Sequence, residues 1–178
     1  ENDIMPYIFS PEQVNHLLSA VSNQIRKGSR RIYLKDLSGY MAMVLLARCG
    51  LRISEPLRLK LNDYRFDEKT IYIEKTKFKK DRLIPLPQSV AIELENYLAV
   101  RRCLPAGVDN KYLLANSTGK GLTDNRVRTV FHRAVSDIGL KRPRQIIGNV
   151  NISSPTPHSL RHSFAIHTLS SVKKRGGS

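Results

Sequence analysis

Apolar residues recur every three or four positions over much of the first half of the chain, which is the spacing of amphipathic helices. The segment Ser10-Pro11-Glu12-Gln13 has the form of a capping box with proline in the first turn, so it predicts a helix over 11–26. A nearly continuous apolar run from Leu34 to Cys49 predicts a buried central helix that Gly50 ends. The basic stretch 27–31 between them is predicted to be a loop.

The second half predicts further helices. Gln88 to Arg102 is one, and Thr123 is predicted to cap another that runs through Ile138 and is closed by Gly139. A short helix is expected to begin at Glu55 with Ser54 as its cap. The inward residues of the 88–102 helix are predicted to be Val90, Ile92, Leu94 and Leu98.

β-Branched and aromatic residues predict two strands, 70–74 and 82–86, joined by a basic hairpin tip. Residues 112–114 are expected to be a short strand or an extended segment, 141–157 irregular, and 1–9 an entering arm. The expected fold is therefore one α+β domain over 1–178, mostly α-helical, with a small antiparallel three-stranded sheet.

The chain carries a formal net charge of +15 and a pI near 10.2, an excess that indicates a polyanionic partner, usually nucleic acid. From Lys141 to Ser178 there are seven Lys or Arg and no Asp or Glu. A generic basic surface of the ribosomal type is the alternative. The two cysteines suggest no disulfide framework and favour a reducing cytosol, and no apolar run approaches the length of a membrane span.

The stretch from Thr156 to Ala165 carries the main candidate chemistry. Thr156 is predicted to cap a helix that begins at Pro157. At about 100° per residue, His158, Arg161 and His162 share one face, while Leu160, Phe164 and His167 share the opposite one. A helix N-terminus already favours an anion, so an arginine and two imidazoles there indicate a phosphate site.

Other chemistries fit the sequence less well. Zinc bound by His158, His162 and His167 is disfavoured because His167 lies across the helix from His158. No P-loop motif occurs, and no carboxylate follows Asp137 to supply a metal-dependent hydrolytic site. Phosphate chemistry here is therefore expected to use side chains alone, without a metal or another cofactor. A separate candidate, Arg52, could equally be a surface arginine paired with Glu55.

Three segments together resemble the tyrosine recombinases, the phage-integrase family. They are Gly50-Leu51-Arg52-Ile53-Ser54-Glu55, then Lys77 followed by Arg82-Leu83-Ile84-Pro85-Leu86-Pro87, then His158-Ser159-Leu160-Arg161-His162-Ser163-Phe164-Ala165. The resemblance spans essentially the whole chain. It implies a site-specific recombinase or integrase that cuts and rejoins duplex DNA through a 3′-phosphotyrosyl intermediate.

The same resemblance implies catalytic roles for four residues. Arg52 and Arg161 would grip the scissile phosphate, and His158 would transfer a proton or contact the phosphate. Lys77 on the hairpin tip would protonate the leaving 5′-oxygen, with Lys75 or Lys79 as possible substitutes. The residues expected to contact DNA are Lys75, Lys79, Lys80, Arg82 and His162.

The resemblance also implies partners and a location. Duplex DNA would be the substrate, with no small-molecule substrate and no membrane. The full-length protein would form a homotetramer on DNA, in the cytoplasm and associated with the nucleoid.

The family's nucleophile is a tyrosine that follows the second arginine box. The tyrosines here all precede His158: they are Tyr7, Tyr33, Tyr40, Tyr64, Tyr72, Tyr97 and Tyr112. We therefore expect the nucleophile beyond Ser178 and expect this stretch alone not to cleave DNA. A noncatalytic DNA-binding module of the same fold and a type IB topoisomerase-like enzyme remain as alternatives.

Overall fold

A computed structural model describes residues 3–74, 81–143, 145–147, 150–152 and 154–175. Its helices are α1 Pro11–Asn23, α2 Arg30–Cys49, α3 Ser54–Arg58, α4 Gln88–Arg102, α5 Pro105–Val108, α6 Asp124–Asp137 and α7 Pro157–Arg175. Its strands are β1 Asp3–Ile4, β2 Tyr64–Arg65, β3 Thr70–Ile73, β4 Arg82–Pro85, β5 Gln145–Ile147 and β6 Val150–Ile152.

Helix α2 lies at the centre of the domain, packed against α1, α4, α6 and α7. Most of its residues from Met41 onward are buried, as the apolar run predicts. The helix starts four residues earlier than predicted, because the Ser29 hydroxyl accepts the N–H of Ile32 and caps it. The prediction of a loop over 27–31 is therefore wrong for its last two residues.

The helices around α2 follow their sequence signals with small differences. Helix α1 has the predicted capping box but ends at Asn23, three residues early. Helix α4 has the predicted bounds, and α6 is capped by Thr123 as expected. The prediction that Ile92 faces inward is wrong: it is 49% exposed, while Val90, Leu94 and Leu98 are buried. Ile92 follows Val90 by two residues. That spacing keeps two side chains on one face of a strand, but it places them on different faces of a helix.

An antiparallel three-stranded sheet is present as predicted, with strand order β2-β3-β4. Its third strand, β2, was not predicted, whereas the segment 112–114 contributes only an isolated bridge between Tyr112 and Lys60. Thr70 pairs with Pro85 and Ile73 with Arg82. Pro85 ends an edge strand, where its missing N–H is tolerated. This pairing brings Arg82 to the end of the sheet that leads into residues 75–80, which lie outside the described residues.

A second sheet occupies part of the region predicted to be irregular. Strands β5 and β6 form an antiparallel pair, and β1 joins β6 in parallel, with Asp3 opposite Val150. The prediction that 141–157 is irregular is therefore wrong for 145–147 and 150–152. Pairing with the first residues of the chain is a long-range contact that no local pattern reveals.

The entering arm also fixes helix α7. Phe9 is fully buried, with its ring 6.3 Å from that of Phe131. Its main-chain N–H donates to Ser163 Oγ at 2.8 Å, and its carbonyl oxygen lies 2.7 Å from His167 Nε2. These two contacts hold α7 against the entering arm.

Candidate active site

The junction after α2 requires glycine for two independent reasons. Gly50 adopts φ of 63°, the left-handed region that disfavours other residues. A Cβ at this position would lie 2.3 Å from Cδ1 of Phe164, a side chain of α7. The two segments predicted to carry the arginines therefore meet at this glycine.

Arg161 reaches the same junction from α7. Its Nη1 donates to the carbonyl oxygen of Gly50, across 111 positions of sequence. Helix α7 starts at Pro157 as predicted, and the main-chain N–H of Thr156 donates to Ser159 Oγ at 3.0 Å. Leu160 is buried beneath the helix, which turns Arg161 towards the end of α2.

Arg52 and Glu55 form the turn between α2 and α3. The Glu55 Oε2 accepts the main-chain N–H of Arg52 at 2.7 Å, and Oε1 lies 3.3 Å from its Nη1. Helix α3 starts at Ser54 and not after it, so the prediction that Ser54 caps this helix is wrong. The Glu55 carboxylate instead satisfies a donor at the helix start.

The Arg52–Glu55 pair that the sequence offered as an alternative to a functional Arg52 is thus present, but it does not bury the arginine. Glu55 is 8% exposed, whereas the Arg52 side chain keeps 31% exposure. Arg82 reaches the same carboxylate from β4, with its Nη2 2.8 Å from Oε2. Sequence reasoning missed that one buried glutamate binds two arginines from different elements.

Burial and the charged groups of Arg52, Glu55 and Arg82 change the pKa of Arg161. Burial first, and then the positive charges of Arg52 and Arg82, lower the pKa of Arg161, while Glu55 opposes the shift. Three guanidinium groups against one carboxylate leave an excess of two positive charges. Such an excess around a half-buried site favours an anion, and planar guanidinium groups suit the oxygens of a phosphate.

His158 lies at the edge of this cluster, next to His162. Their rings meet edge to face with centroids 4.4 Å apart. Burial, followed by the charges of His162, Arg161 and Arg52, lowers the pKa of His158. The lowered pKa favours the neutral form of His158, and a neutral imidazole can both donate and accept a proton.

A cavity of about 470 Å³ opens on the sheet side of Arg52. Its walls come from the α2–α3 turn, α3, the segment that follows it and the end of β3. Arg52 and Glu55 border it, but its lining includes no residue of α7. The cavity therefore adjoins the anion cluster without enclosing Arg161 or His158.

Four of the tyrosines do not fit an activated nucleophile, because their pKa values are raised. Burial raises the pKa of Tyr40 to about 12, and burial also raises the pKa of Tyr64 and Tyr97. Tyr72 lines the cavity beside Arg52, but its hydroxyl donates to Asp81 at 2.6 Å, which raises its pKa. A raised pKa disfavours the phenolate that attacks phosphorus.

Several predicted residues lie where the structure says nothing. Lys77, Lys75, Lys79 and Lys80 fall in 75–80, outside the described residues, so their roles stay predictions. Arg52, Arg161, His158, Arg82 and His162 are described, and they lie in one region. Within the described part of the chain, no group of three His, Cys, Asp or Glu could hold a metal ion, and no helix is long and apolar enough to cross a membrane.

In this largely helical domain, guanidinium groups and a histidine with a lowered pKa come together at the end of α2. Such a site is suited to binding and transferring a phosphoryl group. The sequence model of the phage integrase family matches residues 8–172. The chain belongs to this family.

Two relatives show the likeness in sequence. The chain is 32% identical to tyrosine recombinase XerA of Pyrococcus furiosus, over 85% of this chain and 48% of that protein. It is 30% identical to tyrosine recombinase XerD of Brucella abortus, over 93% of this chain and 50% of that protein. The chain thus spans about half the length of these relatives.

Solved structures share the fold. The XerH site-specific recombinase bound to a palindromic difH substrate, in a post-cleavage complex, gives a TM-score of 0.72 at 23% identity, over 97% of this chain and 44% of that chain. The lambda integrase catalytic core gives 0.61 at 20% identity, over 89% of this chain and 81% of that chain. The predicted fold class is confirmed.

Proposed function

We propose that this domain is the catalytic domain of a site-specific DNA recombinase or integrase. The observation that carries the proposal is the convergence of Arg52, Arg161 and His158 at the Gly50 junction, from segments more than a hundred residues apart. The names of its relatives, tyrosine recombinases XerA and XerD, support the same reading. The substrate is duplex DNA, which the net charge of +15 also favours.

We assign the roles that the family resemblance implies, and the proximity of Arg52, Arg161 and His158 supports the first of them. Arg52 and Arg161 bind the nonbridging oxygens of the scissile phosphate and stabilise the charge that accumulates there in the transition state. His158, whose lowered pKa favours the neutral imidazole, contacts the phosphate or transfers a proton beside them. Lys77 protonates the leaving 5′-oxygen, and a tyrosine outside the seven in this sequence forms the 3′-phosphotyrosyl bond.

The remaining parts of the proposal concern assembly and contacts. The full-length protein acts as a homotetramer on DNA, as lambda integrase does in a structure of a tetramer bound to a Holliday junction. It works in the cytoplasm, associated with the nucleoid. Lys75, Lys79, Lys80 and His162 contact the DNA around the scissile phosphate.

Covalent capture tests the proposal. The full reading frame is incubated with a DNA substrate nicked close to the cleavage position, so that the released strand diffuses away and the protein stays attached. We expect a phosphotyrosyl adduct that Arg52→Ala and Arg161→Ala each abolish. An adduct that survives both substitutions would contradict the assignment. Binding without any adduct would favour a noncatalytic module.

A further inference from the structure

The carboxylate of Glu55 is shared unequally among its donors. Oε2 accepts two short hydrogen bonds, from the main-chain N–H of Arg52 at 2.7 Å and from Nη2 of Arg82 at 2.8 Å. Among the described residues, Oε1 receives only Nη1 of Arg52, at 3.3 Å. Within that part of the chain, the Arg52 guanidinium is therefore held by one long contact, on a carboxylate whose other oxygen is occupied.

Arg82 and Arg52 are about equally exposed, at 32% and 31% of their side chains, but their hydrogen bonds differ. The Nε of Arg82 is buried and has no hydrogen-bond partner among the residues that the structure describes, while its Nη2 binds the buried Glu55. These contacts direct part of the Arg82 guanidinium towards Glu55. The family resemblance implies a DNA contact for the same residue.

We propose that Arg82 is a positioning residue, which occupies Glu55 Oε2 and thereby keeps the Arg52 guanidinium available to a phosphate. The inference rests on the proposed function, because it assigns Arg82 a role in the same site. Arg82 acts through Glu55 and Arg52 and does not itself contact the reacting atoms.

The physical reason is competition for one buried carboxylate. Arginine and carboxylate prefer two parallel hydrogen bonds, which are stronger than one. Without Arg82, Oε2 has room for a second bond from Arg52, and the buried negative charge of Glu55 has one positive partner fewer. Arg52 then closes onto Glu55, and a phosphate must displace that pair before it can bind.

Phosphate binding by the 178-residue chain tests this directly. Inorganic phosphate is titrated while the arginine Nε–H resonances are followed by NMR. We expect Arg82→Ala to weaken phosphate binding at Arg52 by about tenfold, which corresponds to about 1.4 kcal/mol. We expect Glu55→Gln in the same chain to restore it to within about threefold, since a neutral amide no longer holds Arg52.

A matched control variant distinguishes the effect of where Arg82 lies from the effect of losing one positive charge. Arg58 lines the same cavity and is exposed, so Arg58→Ala removes the same charge from the same region. We expect Arg58→Ala to weaken phosphate binding less than about threefold, and Glu55→Gln to give it no rescue. Equal losses and equal rescue in the two backgrounds would show that only charge matters and would overturn the inference.

Two other results would also overturn it. If Glu55→Gln fails to restore binding to Arg82→Ala, then Arg82 is itself a phosphate ligand. If phosphate shifts neither Arg52 nor Arg161 in the unsubstituted chain, the anion site is absent and the proposed function fails as well. Should Arg82→Ala unfold, Arg82→Met keeps the aliphatic stem and replaces it.

A kinetic readout in the full reading frame distinguishes this role from a structural one. In strand cleavage, Arg82→Ala is expected to lower kcat with little change in KM, and Glu55→Gln to recover kcat. A loss confined to KM would indicate a DNA contact and contradict the positioning role. Unchanged cleavage in Arg82→Ala would contradict it as well.

Discussion

Arg161 Nη1 donates a hydrogen bond to the carbonyl oxygen of Gly50, and so joins α7 to the end of α2. The bond brings Arg161 close to Arg52, which follows Gly50 by two residues and whose charge adds to burial in lowering the pKa of Arg161. A main-chain acceptor cannot move independently of its helix. The separation of the two guanidinium groups is therefore set by the packing of α7 on α2.

Gly50→Ala should destabilise the domain more than an equivalent change elsewhere. A non-glycine residue at φ of 63° costs about 1 kcal/mol, and the clash with Phe164 adds about 1–3 kcal/mol. Gly119→Ala is the control, because Gly119 also has positive φ, at 75°, but nothing lies within 4 Å of its Cβ position. Urea unfolding of both variants measures the difference, and equal losses would exclude a packing role for Phe164.

Arg161→Ala should reduce strand cleavage by the full reading frame about 10²–10³-fold, because it removes a charged donor from the transition state. Arg161→Lys should recover little of this, since lysine cannot make two parallel bonds to a phosphate. Arg102→Ala, at an exposed position at the end of α4, should leave the rate within about twofold. Cleavage that tolerates Arg161→Ala would refute the assignment of this arginine.

The pKa of His158 should lie below the ordinary value of about 6.5, because burial and the charges of His162, Arg161 and Arg52 disfavour its protonation. Arg161→Met should raise it. NMR titration of the imidazole C–H resonances measures both. His132, whose pKa is lowered by burial and by Arg128, serves as an internal control that Arg161→Met should not change.

The lowered pKa of His158 also determines how the stability of the domain changes with pH. Between the folded pKa of His158 and about 6.5, the unfolded chain binds more protons than the folded one. The contribution to stability is therefore complete above the unfolded value and is lost as pH falls from there through the folded pKa. In His158→Gln this part of the pH dependence should disappear.

Asp36→Asn should cost about 3–5 kcal/mol in the free energy of unfolding. Asp36 is 4% exposed and binds Arg26, through both its main-chain N–H and its guanidinium, and Arg126 of α6. Asp124→Asn is the matched control, because its pair with Arg128 is exposed and should be worth less than about 1 kcal/mol. Similar losses for the two variants would show that the pairs of the buried Asp36 carboxylate contribute no more than a surface pair.

DNA affinity should fall steeply with salt, because each neutralised phosphate releases condensed counterions. Binding of the 178-residue chain to a duplex, measured by fluorescence anisotropy between 50 and 200 mM salt, gives the slope of log K against log salt. Arg52→Ala should reduce that slope by about one. A slope near zero in the unsubstituted chain would contradict DNA as the partner.

The sequence alone predicted the helices whose limits are local. The capping box at Ser10, the cap at Thr123 and the left-handed Gly50 each mark a helix end, and each involves residues no more than four positions apart. Their signals therefore appear in any short window of sequence. The recombinase motifs likewise singled out Arg52, Arg161 and His158, each by its immediate neighbours, and their catalytic roles stay a prediction.

Only the tertiary structure decided what depends on the path of the chain. The pairing of β1 with β6, the sharing of Glu55 by Arg52 and Arg82, and the bond from Arg161 to Gly50 all join residues that are distant in sequence, apart from the Arg52–Glu55 turn itself. Hydrophobic spacing states which face of an element is buried but not which element covers it. The residue types at the site were therefore readable from the sequence, and their arrangement around one buried carboxylate was not.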